Sequence, residues 1–447
     1  MYNKIINIKD DEMELFQNIN DNYIEFLSNS KTEREAVKNS IELLKKAGFK
    51  DLDKVSNLKK GDKVYAVNRG KNVAAFIIGD NIKDGINILG AHIDSPRLDI
   101  KQNPLYENDQ FAYLDTHYYG GIIKYQWATI PLSIHGVVVK KNGKVLNISI
   151  GEDEKDPVFT ITDLLPHLGK DKLNKSGNEV ITGEDLDLLV GSGDKDIKKE
   201  ILKIINAKYN ISEEDFLSSE LEIVPQGKAR SLGFDSSMIL GYGHDDRVCA
   251  YTSLRAIIDS NDLTKTSCAI LVDKEEIGSV GATGAHSLWF QNVIGEIIYK
   301  TLNEYNDLLL RNILSNSYML SSDVSAGFDP IYSNVFDKKN AAKLGYGITF
   351  NKYTGARGKS GCNDASAEYM AKIRNIMDSN DINFQTAELG KVVHGGGGTL
   401  GYILANMNIN VIDAGVPVLS MHAPFEVVSK KDVFEAYKAY MAFIKFA

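Results

Sequence analysis

Four stretches of this chain run apolar for several residues and then stop on a histidine or a carboxylate. Ile86-Asn87-Ile88-Leu89-Gly90-Ala91 ends at His92-Ile93-Asp94, and Cys268-Ala269-Ile270-Leu271-Val272 ends at Asp273-Lys274-Glu275-Glu276. Tyr318-Met319-Leu320 leads to Ser321-Ser322-Asp323, and Val416-Pro417-Val418-Leu419-Ser420-Met421 leads to His422. Short apolar runs of this kind predict buried strands. A longer period follows Gly243-His244-Asp245-Asp246-Arg247: Val248, Tyr251, Leu254 and Ile258 recur at spacings of three and four, which predicts a helix beginning near Asp245. In an open α/β sheet the carboxyl ends of the strands form the ligand crevice. The pattern therefore expects two His, two Asp and one Glu, namely His92, His422, Asp245, Asp323 and one of Glu275 and Glu276, to meet at one edge of such a sheet.

Elsewhere the periodicity marks scaffold. Thr32 with Glu35 forms a capping-box signature ahead of an amphipathic helix, and Gly48 follows Lys45-Lys46-Ala47 as a stop signal. From about Leu98 to Gly233 the helical period gives way to strands and turns. Asn142-Gly143, between Val137-Val138-Val139 and Val145-Leu146-Asn147-Ile148, predicts a hairpin. Gly169 to Glu220 is rich in Asp, Lys, Glu, Ser and Gly, which predicts surface loops around a few short helices. The residues thus predict a catalytic domain in two sequence parts, 1–98 and 234–447, interrupted by an inserted domain at 99–233.

Composition narrows the class. A chain of 447 residues with 43% hydrophobic content can bury a large core. A net charge of −9 argues against nucleic-acid binding as a main activity, since phosphate neutralisation needs clustered Lys and Arg. No run approaches the roughly 18 apolar residues of a membrane span, and Met1-Tyr2-Asn3-Lys4-Ile5-Ile6-Asn7 lacks an apolar signal core, so the expected location is the cytoplasm without membrane partners. Cys249, Cys268 and Cys362 are an odd number without CxxC spacing, as expected of reduced residues.

The ligand types carry the chemistry. Imidazole and carboxylate without thiolate suit zinc, cobalt or manganese, and five such groups can hold two ions if one carboxylate bridges. An isolated Glu-Glu pair at a strand end is most often a solvated turn; its company here favours one metal ligand and one base.

Gly90-Ala91-His92-Ile93-Asp94-Ser95-Pro96-Arg97, His244-Asp245-Asp246-Arg247, Asp273-Lys274-Glu275-Glu276-Ile277-Gly278-Ser279, Ser322-Asp323 and Met421-His422 resemble, in that order, the motifs of the aspartyl aminopeptidase and aminopeptidase I family. The resemblance runs from about Phe76 to the C-terminus. It implies an α/β fold: a mixed-sheet αβα zinc-aminopeptidase catalytic domain with an inserted, mostly-β dimerisation domain. It implies two divalent ions, bridged by Asp245, with His92 and Asp323 completing one site and Glu276 and His422 the other. Glu275 would be the general base, and Asp94 would orient a catalytic group. Many relatives have Asp-Asn where this chain has Asp245-Asp246, so Asp246 is the fallback bridge. A non-proline cis peptide is implied after Asp245, and a structural role for His244. Dimers assembling into a tetrahedral dodecamer are implied as well. In the family a histidine of the inserted domain reaches a neighbouring subunit's site; His167, in Ile161-Thr162-Asp163-Leu164-Leu165-Pro166-His167-Leu168, matches it with Thr162 where many members have proline. His135 is the weaker match and reads as a strand residue.

Two glycine-rich stretches complete the reading. Tyr353-Thr354-Gly355-Ala356-Arg357-Gly358-Lys359-Ser360-Gly361 fails the GxxxxGK[ST] phosphate-loop pattern because Tyr353 stands at the first glycine position, and no suitable strand is expected before it. The resemblance puts this region at the substrate pocket, where Lys359 or Arg357 would pair with an acidic side chain; an exposed loop cation is the competing reading. His394-Gly395-Gly396-Gly397-Gly398-Thr399 offers bare backbone N–H groups, with Gly398 among those expected to hold a peptide backbone or an oxyanion. The expected activity is removal of acidic or neutral N-terminal residues from short peptides. A dizinc carboxypeptidase or amidase is the competing enzyme, with Arg357 and Arg97 available for a carboxylate, and a non-catalytic assembly protein of the same fold is the alternative outside enzymes.

Overall fold

Alternate residues along the central strands face two different cores. In the strand Ile86–His92, Ile86 and Ile88 pack with Phe290, Ile294 and Ile297, whereas Leu89 and Ala91 pack with Leu254, Phe434 and Tyr440. The neighbouring strand Thr266–Val272 divides in the same way, Cys268 and Ile270 to one side and Ala269 and Leu271 to the other. Every residue of both strands is buried, so they read as continuous apolar runs rather than as an alternating pattern. The outcome is three layers, αβα. On one face lie helices Met13–Asn29, His244–Asp259, Ala367–Ser379 and Lys430–Phe446; on the other lie Trp289–Leu302, Asp307–Ser315 and Leu400–Ala405.

The computed structural model describes residues 5–355 and 357–447, which form two compact units. One comprises the residues up to Asp94, Ala229–Met421 and Glu426–Ala447; the other comprises Ser95–Lys228 with His422–Phe425. The first holds a nine-stranded mixed sheet in the order Lys50–Asp51, Lys63–Asn68, Asn72–Ile77, Thr266–Val272, Ile86–His92, Tyr318–Ser321, Asn410–Gly415, Ile348–Asn351 and Phe384–Thr386. The Thr266, Ile86, Tyr318 and Asn410 strands are parallel neighbours, while Asn72–Ile77 pairs antiparallel with Thr266–Val272. Three of the four expected strands therefore lie side by side and deliver their metal-type residues to one edge. The fourth does not belong to this sheet. Pro417–Leu419 forms part of a separate five-stranded sheet with Arg230–Leu232, Met238–Gly241, Glu426–Ser429 and Ser325–Ala326. Its place in the nine-stranded sheet is taken by Asn410–Gly415, which ends just before it.

The second unit is a six-stranded antiparallel sheet in the order Val145–Ile150, Leu132–Val139, Ser219–Pro225, Arg97–Asn108, Phe111–Tyr119 and Leu188–Ser192. The expected hairpin is present, with Val139 opposite Val145 and Gly143 at φ +82° in its turn. The polar stretch from Gly169 to Glu220 contains more order than its composition predicts: the strand Leu188–Ser192 closes the sheet, and Ile197–Tyr209 is a thirteen-residue helix. Thr32 and Glu35 make the expected reciprocal capping box.

Candidate active site

At the carboxyl ends of the parallel strands, chain geometry brings His92, Asp94, Asp245, Asp246, Glu275, Glu276 and Asp323 together. His92 is the last residue of its strand. Its Nδ1–H donates to the Asp94 carbonyl at 3.0 Å, leaving Nε2 to face Asp245 Oδ1 at 3.1 Å. Glu275 Oε2 and Asp323 Oδ1 each stand 4.0 Å from the same Nε2. Ligand atoms of His92, Asp245 and Glu276 lie within 4.8 Å of one another, as do those of His92, Asp246 and Asp323. His92, Asp94, Asp245 and Asp246 are almost fully buried.

Each side chain is held by identifiable contacts. Asp94 accepts the backbone N–H groups of both Glu275 (3.1 Å) and Glu276 (3.2 Å), so one carboxylate fixes the whole turn Glu275–Ile277. That turn enters and leaves through left-handed residues, Lys274 at φ +71° and Gly278 at φ +91°. Asp245 and Asp246 leave helical geometry inside the first turn of His244–Asp259, and the peptide between them is cis. The Asp245 N–H donates to Glu426 Oε2 at 2.9 Å, and Asp246 Oδ2 accepts the His92 N–H at 3.3 Å. Asp323 follows its strand after Ser322, whose N–H donates to the Gly90 carbonyl.

The electrostatics are those of acids crowded out of water. Burial first, then the neighbouring carboxylates, hold Asp246 and Asp323 well above the usual carboxylate range, with His92 opposing. Burial alone would lower His92, but hydrogen bonds to Asp245 and Asp94 outweigh it and raise it well above its ordinary value. A cation fits this arrangement. With Nδ1–H committed to a carbonyl, Nε2 and Asp245 Oδ1 share a proton at 3.1 Å that a bound cation would replace, and the imidazole and carboxylate donors around them are those zinc accepts.

The remaining expected residues have contacts of their own. His422 lies in the second compact unit, at φ +66°, with Nδ1 2.9 Å from the Gly121 carbonyl. His167 is exposed on the turn after Pro166, also in that unit. Lys359 is engaged: its ammonium bonds Asp364 at 2.9 Å and sits 3.7 Å over the Tyr353 ring. The Arg357 N–H donates to the Val392 carbonyl, and Gly398 lies exposed in its loop. A strand, Ile348–Asn351, does precede the Tyr353 segment, contrary to expectation, but the next helix begins only at Ala367, so the strand–loop–helix of a phosphate loop is not formed. His244 is buried beside Tyr23, its Nδ1 2.6 Å from the hydroxyl, and burial lowers its pKa to about 3. His135 is a buried strand residue near Ser133 and Glu152. Sequence reasoning missed Glu426, the buried acceptor for the Asp245 N–H; its one signal is a carboxylate just before Val427-Val428, four residues past His422.

Residues 26–444 match the family model described as aminopeptidase I zinc metalloprotease (M18). The chain belongs to that family and is a metalloaminopeptidase, a hydrolase of peptide bonds. A probable M18 family aminopeptidase 1 of Clostridium acetobutylicum is 54% identical over 438 residues, 95% of this chain and 94% of the relative. The M18-family crystal structure from Thermotoga maritima superposes with a TM-score of 0.94 at 46% identity, covering 98% of each chain. That of aminopeptidase I from Clostridium acetobutylicum gives 0.90 at 51% identity, covering 98% of this chain and 97% of its own.

Proposed function

We propose that the chain removes single N-terminal residues, acidic or neutral, from short peptides, with two divalent ions, zinc in the first instance, at the His92 cluster. The observation that carries this reading is the sharing of His92 by two groups of donors, one with Asp245 and Glu276 and the other with Asp246 and Asp323, beside the turn that presents Glu275. When bound, the ions would polarise the scissile carbonyl and lower the pKa of the attacking water. Asp245 is the proposed bridging ligand, with Asp246 as the alternative; His92 and Asp323 complete one set, and Glu276 and, by resemblance, His422 the other. Glu275 takes the proton from the attacking water and passes it to the leaving amine. Asp94 keeps Glu275 and Glu276 aimed by holding both of their N–H groups. Lys359, Arg357 and Gly398 are proposed substrate contacts, and His167 a contact to the substrate of a neighbouring copy.

Self-association through the inserted domain belongs to the same proposal. The yeast mApe1 dodecamer shares the fold, with a TM-score of 0.78 at 22% identity, and a tetrahedral dodecamer in the cytoplasm is the proposed form here. It would admit short peptides and engage neither nucleic acid nor membrane.

Hydrolysis of aminoacyl-p-nitroanilides carrying Asp, Glu, Leu, Lys or N-acetyl-Leu, by chelated protein re-supplied with zinc, cobalt or manganese, tests the reading. Metal-dependent cleavage of free but not acetylated substrates is expected, and the ranking gives the side-chain preference. Cleavage of a C-terminal residue, or of an amide without a free α-amine, would move the assignment to the carboxypeptidase or amidase.

A further inference from the structure

Within the second unit, the helix Ile197–Tyr209 packs on the six-stranded sheet unevenly. At its first turns it is in close contact with the edge strand through glycines: a Cβ at Gly191 would stand 2.5 Å from Ile201 Cδ1, and one at Gly193 would stand 3.1 Å from Ile197 Cδ1. Ile197 is accordingly buried. Further along, the helix leaves a cavity of about 180 Å³ above the sheet. Its floor is aliphatic, including Ile100, Ile134 and Ile148, and Ile201, Ile204 and Ile205 overhang it.

An apolar cavity of about 150 Å³ stays dry and accepts a benzene-sized guest, so this one has room for a short hydrocarbon segment. Its polar lining is confined to the last turn of the helix, Lys208 and Tyr209. Lys208 is exposed, lines the cavity and makes no ion pair among the described residues. Asp156, near Tyr209, is engaged by the Gly151 N–H. Ile204 remains 49% exposed beside the opening.

We propose that this cavity binds a medium-chain monocarboxylate, with the hydrocarbon tail among the sheet isoleucines and the carboxylate at the Lys208 ammonium and the Tyr209 hydroxyl. An apolar pocket whose one lining cation, Lys208, forms no ion pair among the described residues matches such an amphiphile in both parts. The site draws on no residue of the His92 cluster.

Isothermal titration of the full chain with octanoate, with octanol as the ligand lacking the charge, reads the proposal directly. Saturable binding at one site per chain is expected, with a negative heat-capacity change and with octanol weaker. Lys208→Gln should weaken octanoate by about tenfold and leave octanol unchanged, as expected for loss of one charge-assisted contact. Ile148→Trp should abolish binding by filling the cavity. Should that variant not fold, Ile204→Glu, at a half-exposed position, places a like charge beside the carboxylate and should likewise weaken octanoate. Absence of saturable octanoate binding to the native chain overturns the proposal, as does equal binding of octanol and octanoate with no effect of Lys208→Gln. If Ile204→Glu lowers the mass of the particle in solution and octanoate does not bind, a second copy of the chain covers this face instead.

Discussion

The roles proposed for Asp94 and Glu275 are separable by experiment, because one rests on backbone contacts and the other on the residue's own carboxylate. Glu275→Gln keeps the shape and removes the basicity, so kcat should fall by roughly 10²–10⁴, the usual contribution of a positioned general base. Metal content, measured by elemental analysis, should not change, since Glu276, His92 and the aspartates are untouched; near-native turnover would remove Glu275 from the reaction. Asp94→Asn is a milder change in the same place. Asn offers one acceptor oxygen where Asp94 uses both for the Glu275 and Glu276 N–H groups. We expect kcat to fall by about one to two orders of magnitude with KM little altered, as for a lost interaction made mainly in the transition state. Residues of this kind were readable because they stand where an apolar run stops. Glu426 was not, because its meaning depends on burial, and the choice between Asp245 and Asp246 was left open, because it depends on which carboxylate turns toward His92.

A strand has to end in the right place as well as carry the right residue, and the glycine that ends Asn410–Gly415 shows why. A Cβ at Gly415 would stand 1.8 Å from the backbone oxygen of Asp323, an atom that cannot step aside without moving the Asp323 side chain. Gly415→Ala should therefore lower metal affinity and activity together, and its residual activity should recover at high metal concentration; unchanged metal titration would refute this coupling. A second element is tied down by Asp432, in the first turn of Lys430–Phe446, which accepts the Gly345 N–H (2.6 Å) and the Gly347 N–H (2.7 Å). Burial raises its pKa to about 7 against those two bonds. The folded state thus holds this proton more tightly than the unfolded chain does, so the contribution of Asp432 to stability is greatest below the ordinary carboxylate pKa and is lost as pH rises through about 7. Asp432→Asn removes that slope: its melting temperature should gain on the native chain between pH 4 and pH 7, and parallel curves would show that Asp432 does not titrate there. Elements of this sort explain the uneven legibility of the fold. The parallel strands were plain in the sequence because both faces are buried, whereas Leu188–Ser192 was hidden by its polar flanks. Val416–Met421 looks like its three counterparts, although its ladder partners lie in another sheet, and no local pattern encodes partner choice.

For the whole molecule, the His92 cluster gathers carboxyl groups in a chain already at −9 and buries Asp94, Asp245 and Asp246 almost fully. Asp246 and Asp323 resist ionisation first because they are buried and then because they face other acids. A bound cation would relieve that repulsion only when the elements carrying the donors are assembled: Ile86–His92, the first turn of His244–Asp259, the Glu275–Ile277 turn and the residues after Tyr318–Ser321 are distant in sequence. An ion that binds the folded chain and not the unfolded one stabilises it by about 2.7 kcal/mol when its free concentration is 100 times the dissociation constant. In a chain of this size that corresponds to a rise of several degrees in melting temperature. We therefore expect chelated protein to melt several degrees lower than protein given zinc, and the midpoint to climb with the logarithm of free metal. Glu275→Gln should keep this dependence in full while losing turnover, whereas Asp245→Asn should lose most of it. The contrast separates a site that binds ions from a residue that uses them, and a melting curve indifferent to chelator and to zinc would remove the metal from the account altogether.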